Sequence, residues 1–146
     1  MLEIGQELQL GRYRIKERLN QGGMGTVYLA TDRNLSERLV AIKENTETSP
    51  ETQRQFQQEA VLLARLTHPN LPRVTDHFIE PDGRQYLVMD YVGGDDLQQI
   101  MRMHKGPLPE AEALECIEQV MDALEYMHSW IDVDSGVPSP VIHRDI

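Results

Sequence analysis

The sequence predicts an α+β fold, in which a five-stranded antiparallel sheet with one helix precedes a region of further helices. Three observations predict it. Alternating apolar residues mark five short strands, the two prolines of His68–Pro72 end a single helix among them, and after Gly93 and Gly94 the pattern becomes helical. We divide the chain into residues 1–90 and residues 91–146.

The first three strands are predicted on both sides of a glycine-rich connection. Tyr13–Leu19 alternates apolar and polar residues, and Thr26–Ala30 is β-branched and aromatic, so both favour strands. The sequence Asn-Gln-Gly-Gly-Met-Gly between them predicts a hairpin. A third strand, Arg38–Glu44, places Ala41 and Lys43 on one face, because strand side chains alternate.

The helix of the first part is predicted from Pro50 to about Leu66. Ser49 is suited to cap it, and proline is favoured at the first helical position. Two further strands, Arg73–Glu80 and Gln85–Tyr91, flank a Pro-Asp-Gly-Arg turn and complete the predicted sheet.

The second part is predicted to contain two helices, at about residues 96–104 and 109–128. In the longer helix, apolar residues at helical spacing form one stripe that requires burial. These residues are Leu114, Ile117, Met121, Leu124 and Met127. Asp132–Pro140 is typical of a surface loop, and Val141–Ile142 predicts the start of a short buried strand.

The composition narrows the range of partners and compartments. With 24 acidic and 14 basic residues and a formal charge of -10, the chain is repelled by phosphate backbones and anionic lipids, so we expect no nucleic-acid or membrane contact. Cys116 is the only cysteine, which excludes an internal disulfide and favours a reducing, cytoplasmic setting. No apolar run reaches the roughly 20 residues that a membrane helix needs. An anchor outside these residues stays compatible with the sequence.

The glycine-rich connection allows backbone N–H groups to approach an anion closely, because glycine has no Cβ. Alone, it is a weak signal and is more typical of a plain hairpin turn. A dinucleotide-binding loop would have to open a helix, and a Walker loop needs Gly-Lys followed by Ser or Thr. The sequence meets neither condition.

Lys43 is more informative, because it interrupts an apolar strand. Alone, it would either extend its amine to water or meet an anion. Glu59 shares a helix face with Leu62, Leu63 and Leu66, which sets a carboxylate on the core-facing side, where it needs a cation. We therefore predict a Lys43–Glu59 ion pair that fixes an ammonium group beneath the glycine-rich connection.

Six segments in this order carry a resemblance to a known family. They are Leu19–Tyr28, Val40–Lys43, Glu59 in its helix, His68–Leu71, Leu87–Val92 and His143–Asp145. Together they resemble the signature set of protein kinases, most closely that of bacterial serine/threonine kinases. The resemblance implies a kinase-like small lobe followed by the first helices of the large lobe, which is about the first half of the catalytic domain.

The resemblance also implies ATP and Mg²⁺ as cofactors. The glycine-rich loop would cover the phosphates, Lys43 oriented by Glu59 would hold them, and Asp145 would accept the proton of the substrate hydroxyl. Asp95 or Asp96 would reach the ribose. The implied ATP-binding residues are Leu19, Asn20, Gly22, Gly23, Gly25, Val27, Ala41, Lys43, Met89, Asp90, Val92 and Asp96, and none is a metal ligand.

The implied function is transfer of the ATP γ-phosphoryl group to serine or threonine hydroxyls of a protein substrate. The alternative is a non-catalytic nucleotide-binding or interaction module. The sequence stops at Ile146, before the family's Mg²⁺ ligands, so we expect these 146 residues alone not to transfer phosphate. We also expect self-association through the uncovered stripe of the longer helix.

One residue departs from the family's pattern. Asn20 stands where the family has its first loop glycine. Asparagine tolerates left-handed backbone conformations better than most residues, so we expect the loop still to form.

Overall fold

The computed structural model describes residues 1–22, 25–47 and 49–142. They form two compact units. The first comprises Met1–Thr67 and Pro72–Val92, and the second comprises His68–Leu71 and the chain from Gly93 onward. No helix within these ranges has the length and apolar character needed to cross a membrane.

The first unit contains an antiparallel sheet of six strands. In chain order they are β1 Glu7–Leu8, β2 Tyr13–Gly22, β3 Gly25–Asp32, β4 Arg38–Asn45, β5 Val74–Ile79 and β6 Gln85–Asp90. Their order across the sheet is β1-β2-β3-β4-β6-β5. The five predicted strands are confirmed. The added strand, β1, has only two residues, which is too short to show an alternating pattern.

The main apolar core lies on one face of this sheet. Its members are Leu2, Leu8, Tyr13, Ile15, Tyr28, Ala30, Val40, Ile42, Phe78, Tyr86 and Val88. Tyr13 of β2 stacks on Phe78 of β5, with ring centroids 5.6 Å apart. These strands hold the second and the last places in the sheet, so the contact shows that the sheet curls around the core. Phe78 also stacks on Tyr86, at 5.2 Å. The stacked rings thus bring the two ends of the sheet together.

An ion-pair cluster joins the same two ends. Arg12 places one guanidinium nitrogen 2.9 Å from the Asp76 carboxylate and another 2.9 Å from the buried carboxylate of Asp32. The Tyr13 hydroxyl donates to Asp76 as well, at 2.9 Å. Burial, reinforced by this hydrogen bond, raises the pKa of the Tyr13 hydroxyl above its usual range, so the group stays a donor.

The opposite face of the sheet carries α1, Pro50–Arg65. Ser49 caps the helix as predicted, since its side chain accepts a backbone N–H of the first turn. Phe56 and Ala60 are buried against Leu87 of β6. Burying a side chain such as that of Phe56 contributes about 1.5–3 kcal/mol, so this contact holds α1 on the sheet.

The second unit contains the two predicted helices, α2 at Leu97–His104 and α3 at Glu110–His128. Residues 68–71 belong to this unit, and the Asn70 side chain donates to the Gln119 carbonyl of α3 at 3.1 Å. The bend with two prolines therefore serves as a contact for α3 as well as the end of α1.

The apolar stripe of α3 is largely uncovered in the described residues. Leu114, Ile117 and Met121 are each more than half exposed, whereas Met127 at the end of the helix is buried. Helical spacing predicts the stripe correctly, but burial also needs a covering layer.

The predicted strand at Val141–Ile142 is wrong. Among the described residues these two pair with no strand, and Ile142 is 64% exposed. The Val141 N–H donates instead to the Met127 carbonyl at the end of α3, at 2.9 Å. A donor satisfied by a helix end is not available to a strand ladder.

Candidate functional site

The strand register brings four of the predicted site residues to one face of the sheet. Val27 of β3 pairs with Lys43 of β4, which pairs with Leu87 of β6, and Ala41 pairs with Met89. Directly paired residues, and residues two apart in one strand, project to the same side. Leu87 and Met89 pack against the cluster formed with α1. Val27, Ala41, Lys43 and Met89 therefore share the face that carries α1.

The predicted ion pair between Lys43 and Glu59 is present. The Lys43 ammonium lies 3.1 Å from a Glu59 carboxylate oxygen, with side-chain exposures of 19% and 46%. The ammonium also lies 5.8 Å from the centroid of the Phe56 ring, within reach of a weak cation–π contact. A half-exposed pair contributes about 1 kcal/mol at most, so the effect of this pair is mainly to orient the amine.

Glu59 lies beside the buried face of α1 and not within it, which corrects the expectation of a core-facing acid. Phe56 and Ala60 are the buried residues of the helix, whereas Glu59 is exposed. The spacing to Leu63 places the carboxylate at the border of that face. The carboxylate consequently keeps contact with water while it binds the lysine.

The glycine-rich hairpin closes at a pairing of Gly22 with Gly25. The backbone of Gly25 has a φ of +117°, and a Cβ at this position would collide with the Glu44 carbonyl oxygen. Both observations require glycine here. Gly23, another predicted site residue, lies outside the described residues.

Asn20 forms a regular part of β2 beside an irregularity in the register. It pairs with Val27 after a shift between Arg18 and Asn20, and its side chain accepts the Gln21 N–H at 2.7 Å. Its φ angle is not positive, so the tolerance of asparagine for left-handed backbone is not used. Leu19, in the shifted stretch, is 40% exposed. Such a bulge redirects the strand just before the hairpin.

Asp90, at the end of β6, is held from two sides. Its carboxylate lies 2.7 Å from a guanidinium nitrogen of Arg38 on β4. Its backbone N–H donates to the Arg73 carbonyl at 2.9 Å. Val92, two residues further along the chain, is exposed.

Asp96 belongs to the second unit and is the N-cap of α2. Its carboxylate accepts the Gln99 N–H at 2.7 Å, and the Gln99 side chain accepts the Asp96 N–H at 2.9 Å. This reciprocal capping box fixes the acid at the start of the helix. Asp145, the predicted catalytic acid, lies outside the described residues.

Among the described ranges, no group of three or more His, Cys, Asp or Glu side chains converges as a metal site. In the family that the sequence resembles, the Mg²⁺ ligands come later in the chain than the residue that matches Asp145.

Glu44 is a buried acid that is not among the residues predicted from the sequence. Its side chain is 0% exposed, and the carboxylate accepts hydrogen bonds from Tyr28 at 3.0 Å and from Arg84 at 2.8 Å. Burial raises the pKa of the Tyr28 hydroxyl. Alternation along β4 could have found Glu44, because it shares a face with Ile42 in the core.

The residues that form the hairpin, β4 and α1 lie within a segment that matches a known protein family. The family model described as "Protein kinase domain" matches residues 13–146. The chain belongs to the protein kinase family. The match covers the hairpin, the lysine strand, α1 and the segment that ends in His-Arg-Asp.

Several bacterial protein kinases are similar to this chain along most of its length. The probable serine/threonine-protein kinase PknB of Lactococcus lactis is 36% identical over 149 residues, which cover 100% of this chain and 22% of that protein. The probable serine/threonine-protein kinase YbdM of Bacillus subtilis is 34% identical over 134 residues, which cover 90% of this chain and 52% of the relative. The kinase is therefore of the bacterial serine/threonine type, and it spans about half or less of these relatives.

Solved kinase structures share the fold. The crystal structure of the Mycobacterium tuberculosis PknI kinase domain matches with a TM-score of 0.71 and 31% identity. The match covers 88% of this chain and 51% of the PknI chain. The kinase chain thus corresponds to a partial catalytic domain.

Proposed function

We propose that this chain supplies the ATP-binding part of a serine/threonine protein kinase, which in the whole protein transfers the γ-phosphoryl group of ATP to protein hydroxyls. The observation that carries the proposal is the 3.1 Å ion pair between Lys43 and Glu59. It keeps an ammonium group oriented on the sheet face next to the glycine-rich hairpin, where phosphate oxygens need a fixed cation.

The adenine ring is proposed to contact the apolar residues of the same face. Val27 lies directly beside Lys43 in the register, and Ala41 lies two residues before it on β4. Small and branched apolar side chains leave room for a flat ring and bury it. Met89, paired with Ala41, would limit the depth of this site.

The end of β6 is proposed to bind the polar edge of adenine. Because the Asp90 N–H already donates to the Arg73 carbonyl, the group that Asp90 offers to the adenine amino group is its own carbonyl. The backbone N–H of Val92, whose side chain is exposed, is the proposed donor to a ring nitrogen.

The remaining catalytic parts are proposed from the family alone. Asp145 would orient the substrate hydroxyl and accept its proton, and Asp95 or Asp96 would bind the ribose. Mg²⁺, when bound to the nucleotide, would neutralise charge on the phosphates. The serine/threonine preference follows the names of the relatives, and a cytoplasmic location follows the reducing setting that Cys116 favours.

Ligand-dependent thermal denaturation of the 146-residue chain tests the proposal. We expect Mg²⁺-ATP at 100 times its Kd to stabilise the wild type by about 2.7 kcal/mol, seen as a higher Tm. Lys43→Met should lose most of this gain. Lys16→Met, which removes an exposed lysine of β2, is the matched control and should keep it. A wild-type Tm that does not respond to saturating ATP would contradict the proposal.

A further inference from the structure

Glu44 follows Lys43 directly on β4, and its side chain projects from the opposite face of the sheet. Because successive side chains of a strand point to opposite faces, Lys43 lies on the face that carries α1. Glu44 points into the main core, where it is 0% exposed. The same strand segment therefore carries a cation for the proposed nucleotide on one side and a buried anion on the other.

The buried carboxylate has polar partners for both of its oxygens. One oxygen accepts from the Tyr28 hydroxyl at 3.0 Å, and the other accepts from Arg84 at 2.8 Å and from the Tyr86 hydroxyl at 3.3 Å. Arg84 is itself held by Asp82 at 2.6 Å. A buried charge is costly unless it is paired and hydrogen-bonded, so this arrangement fixes Glu44 in one position.

One of these partners links Glu44 to the first eight residues, which we call the N-terminal segment. The Leu2 N–H donates to the Tyr28 hydroxyl at 3.0 Å, within the buried part of the molecule. The side chains of Leu2 and Leu8 belong to the main core. The Gly5 N–H donates to the Ile15 carbonyl at 2.8 Å, which lays the segment along β2.

The backbone of Glu44 supports the glycine-rich hairpin. Glu44 pairs with Thr26 in the register of β3 and β4, and its carbonyl oxygen fills the space where a Cβ of Gly25 would lie. A displacement of Glu44 along or across the sheet would therefore move Gly25 and Lys43 together. Both belong to the half of the proposed site that meets phosphate.

We propose that Glu44 is a positioning residue for the nucleotide phosphates, and that the N-terminal segment supports it through the Tyr28 hydroxyl. This inference rests on the proposed ATP-binding function. The N-terminal segment would thus affect the affinity for the phosphate part of the ligand. The proposed contacts with adenine come from Val27 and Ala41, on the face of the sheet that carries α1.

The test compares two ligands that differ only in their phosphates. We would measure the Kd of Mg²⁺-ATP and of adenosine by calorimetry on the 146-residue chain. Tyr28→Phe should weaken ATP binding by about three- to tenfold, the effect of losing one or two hydrogen bonds, and leave adenosine binding unchanged. Tyr13→Phe is the matched control, because it removes a hydroxyl that donates to Asp76 from the same core. It should leave both Kd values unchanged.

A second variant makes the result independent of the tyrosine itself. Leu2→Pro removes the backbone donor to Tyr28 but keeps an apolar side chain, and it should reproduce the selective loss of ATP affinity. Amide hydrogen exchange in residues 1–8 should become faster in Tyr28→Phe and stay slow in Tyr13→Phe.

Three results would overturn the inference. They are an unchanged ATP affinity in both Tyr28→Phe and Leu2→Pro, an equal loss for ATP and adenosine, or the same ATP loss in Tyr13→Phe. Each of these leaves the proposed function intact if the wild type binds ATP. A wild type that binds neither ligand would overturn the proposed function together with this inference.

Discussion

The Glu59 carboxylate of α1 lies 3.1 Å from the Lys43 ammonium of β4, across 16 residues of sequence. This contact joins the helix to the middle of the sheet on the face that also carries Val27 and Ala41. Because Glu59 is half exposed, water and salt weaken the attraction between the two charges. The contact therefore orients the amine more than it stabilises the fold.

Glu59→Gln should separate orientation from stability. We expect the free energy of unfolding to change by less than about 1 kcal/mol, because the pair is exposed. ATP affinity should fall by about tenfold, since the lysine loses the group that fixes it. Urea denaturation and calorimetric titration measure the two effects. Glu51→Gln, which changes the other acid of α1, should leave ATP affinity unchanged, and an equal loss there would refute the assignment.

Gly25→Ala should destabilise the first unit by about 1–3 kcal/mol, because the new Cβ meets the Glu44 carbonyl oxygen and the φ of +117° disfavours a side chain. Gly5→Ala is an informative control. Gly5 also has a positive φ, at +87°, but open space around it. Urea denaturation should therefore show a larger loss for Gly25→Ala, and equal losses would mean that the collision is relieved at no cost.

Ser49→Ala should cost about 1 kcal/mol of stability, because the first turn of α1 loses the side chain that accepts one of its free N–H groups. Ser49→Asp should restore the cap and add a favourable charge near the helix N-terminus. Urea midpoints of the three proteins measure the effect. Equal midpoints for the wild type and Ser49→Ala would show that α1 does not depend on its cap.

We expect His77 to make the free energy of unfolding depend on pH. Burial lowers its pKa from the ordinary value of 6.5, against a smaller opposing effect of Asp76. Its Nε2 is buried and has no hydrogen-bond partner among the described residues. The unfolded chain therefore takes up a proton more readily than the folded chain, so the contribution of His77 to stability is complete above about pH 6.5 and is lost as the pH falls below it.

The measurement is the free energy of unfolding at pH 7.5 and pH 5.5, in the wild type and in His77→Gln. We expect the fall in stability between these pH values to be smaller in the variant. His104→Gln changes an exposed histidine at the end of α2 and should keep the wild-type pH dependence. An identical fall in His77→Gln would mean that other groups account for the effect.

Local signals predicted most of the secondary structure. Alternation located the strands around Lys43, and the combination of Ser49 with Pro50 located the start of α1 to the residue. These signals depend on neighbours in sequence, which a single chain displays directly. The Lys43–Glu59 contact was also predicted, but from the premise of a core-facing acid, whereas Glu59 is exposed at the border of the buried face of α1.

Features that depend on distant parts of the chain were not predictable in the same way. The strand β1 exists through its pairing with Tyr13 and Arg14 of β2, and two residues carry no pattern of their own. The sequence at Val141 predicts a strand, but the Val141 N–H donates to the Met127 carbonyl at the end of α3. The border position of Glu59 depends on how α1 is rotated on the sheet, which Phe56 and Ala60 decide.

The curl of the sheet has a consequence for the order of events during synthesis. The contacts that join its ends, from Arg12 and Tyr13 to Asp76, span 64 and 63 residues of sequence. Strands β2 to β4 leave the ribosome before β5, so their apolar inner surface stays open to other chains until Asp76 and Phe78 emerge. This surface stays open while the chain between β4 and Phe78 is made, which is about 30 residues or a few seconds at roughly 5–20 residues per second.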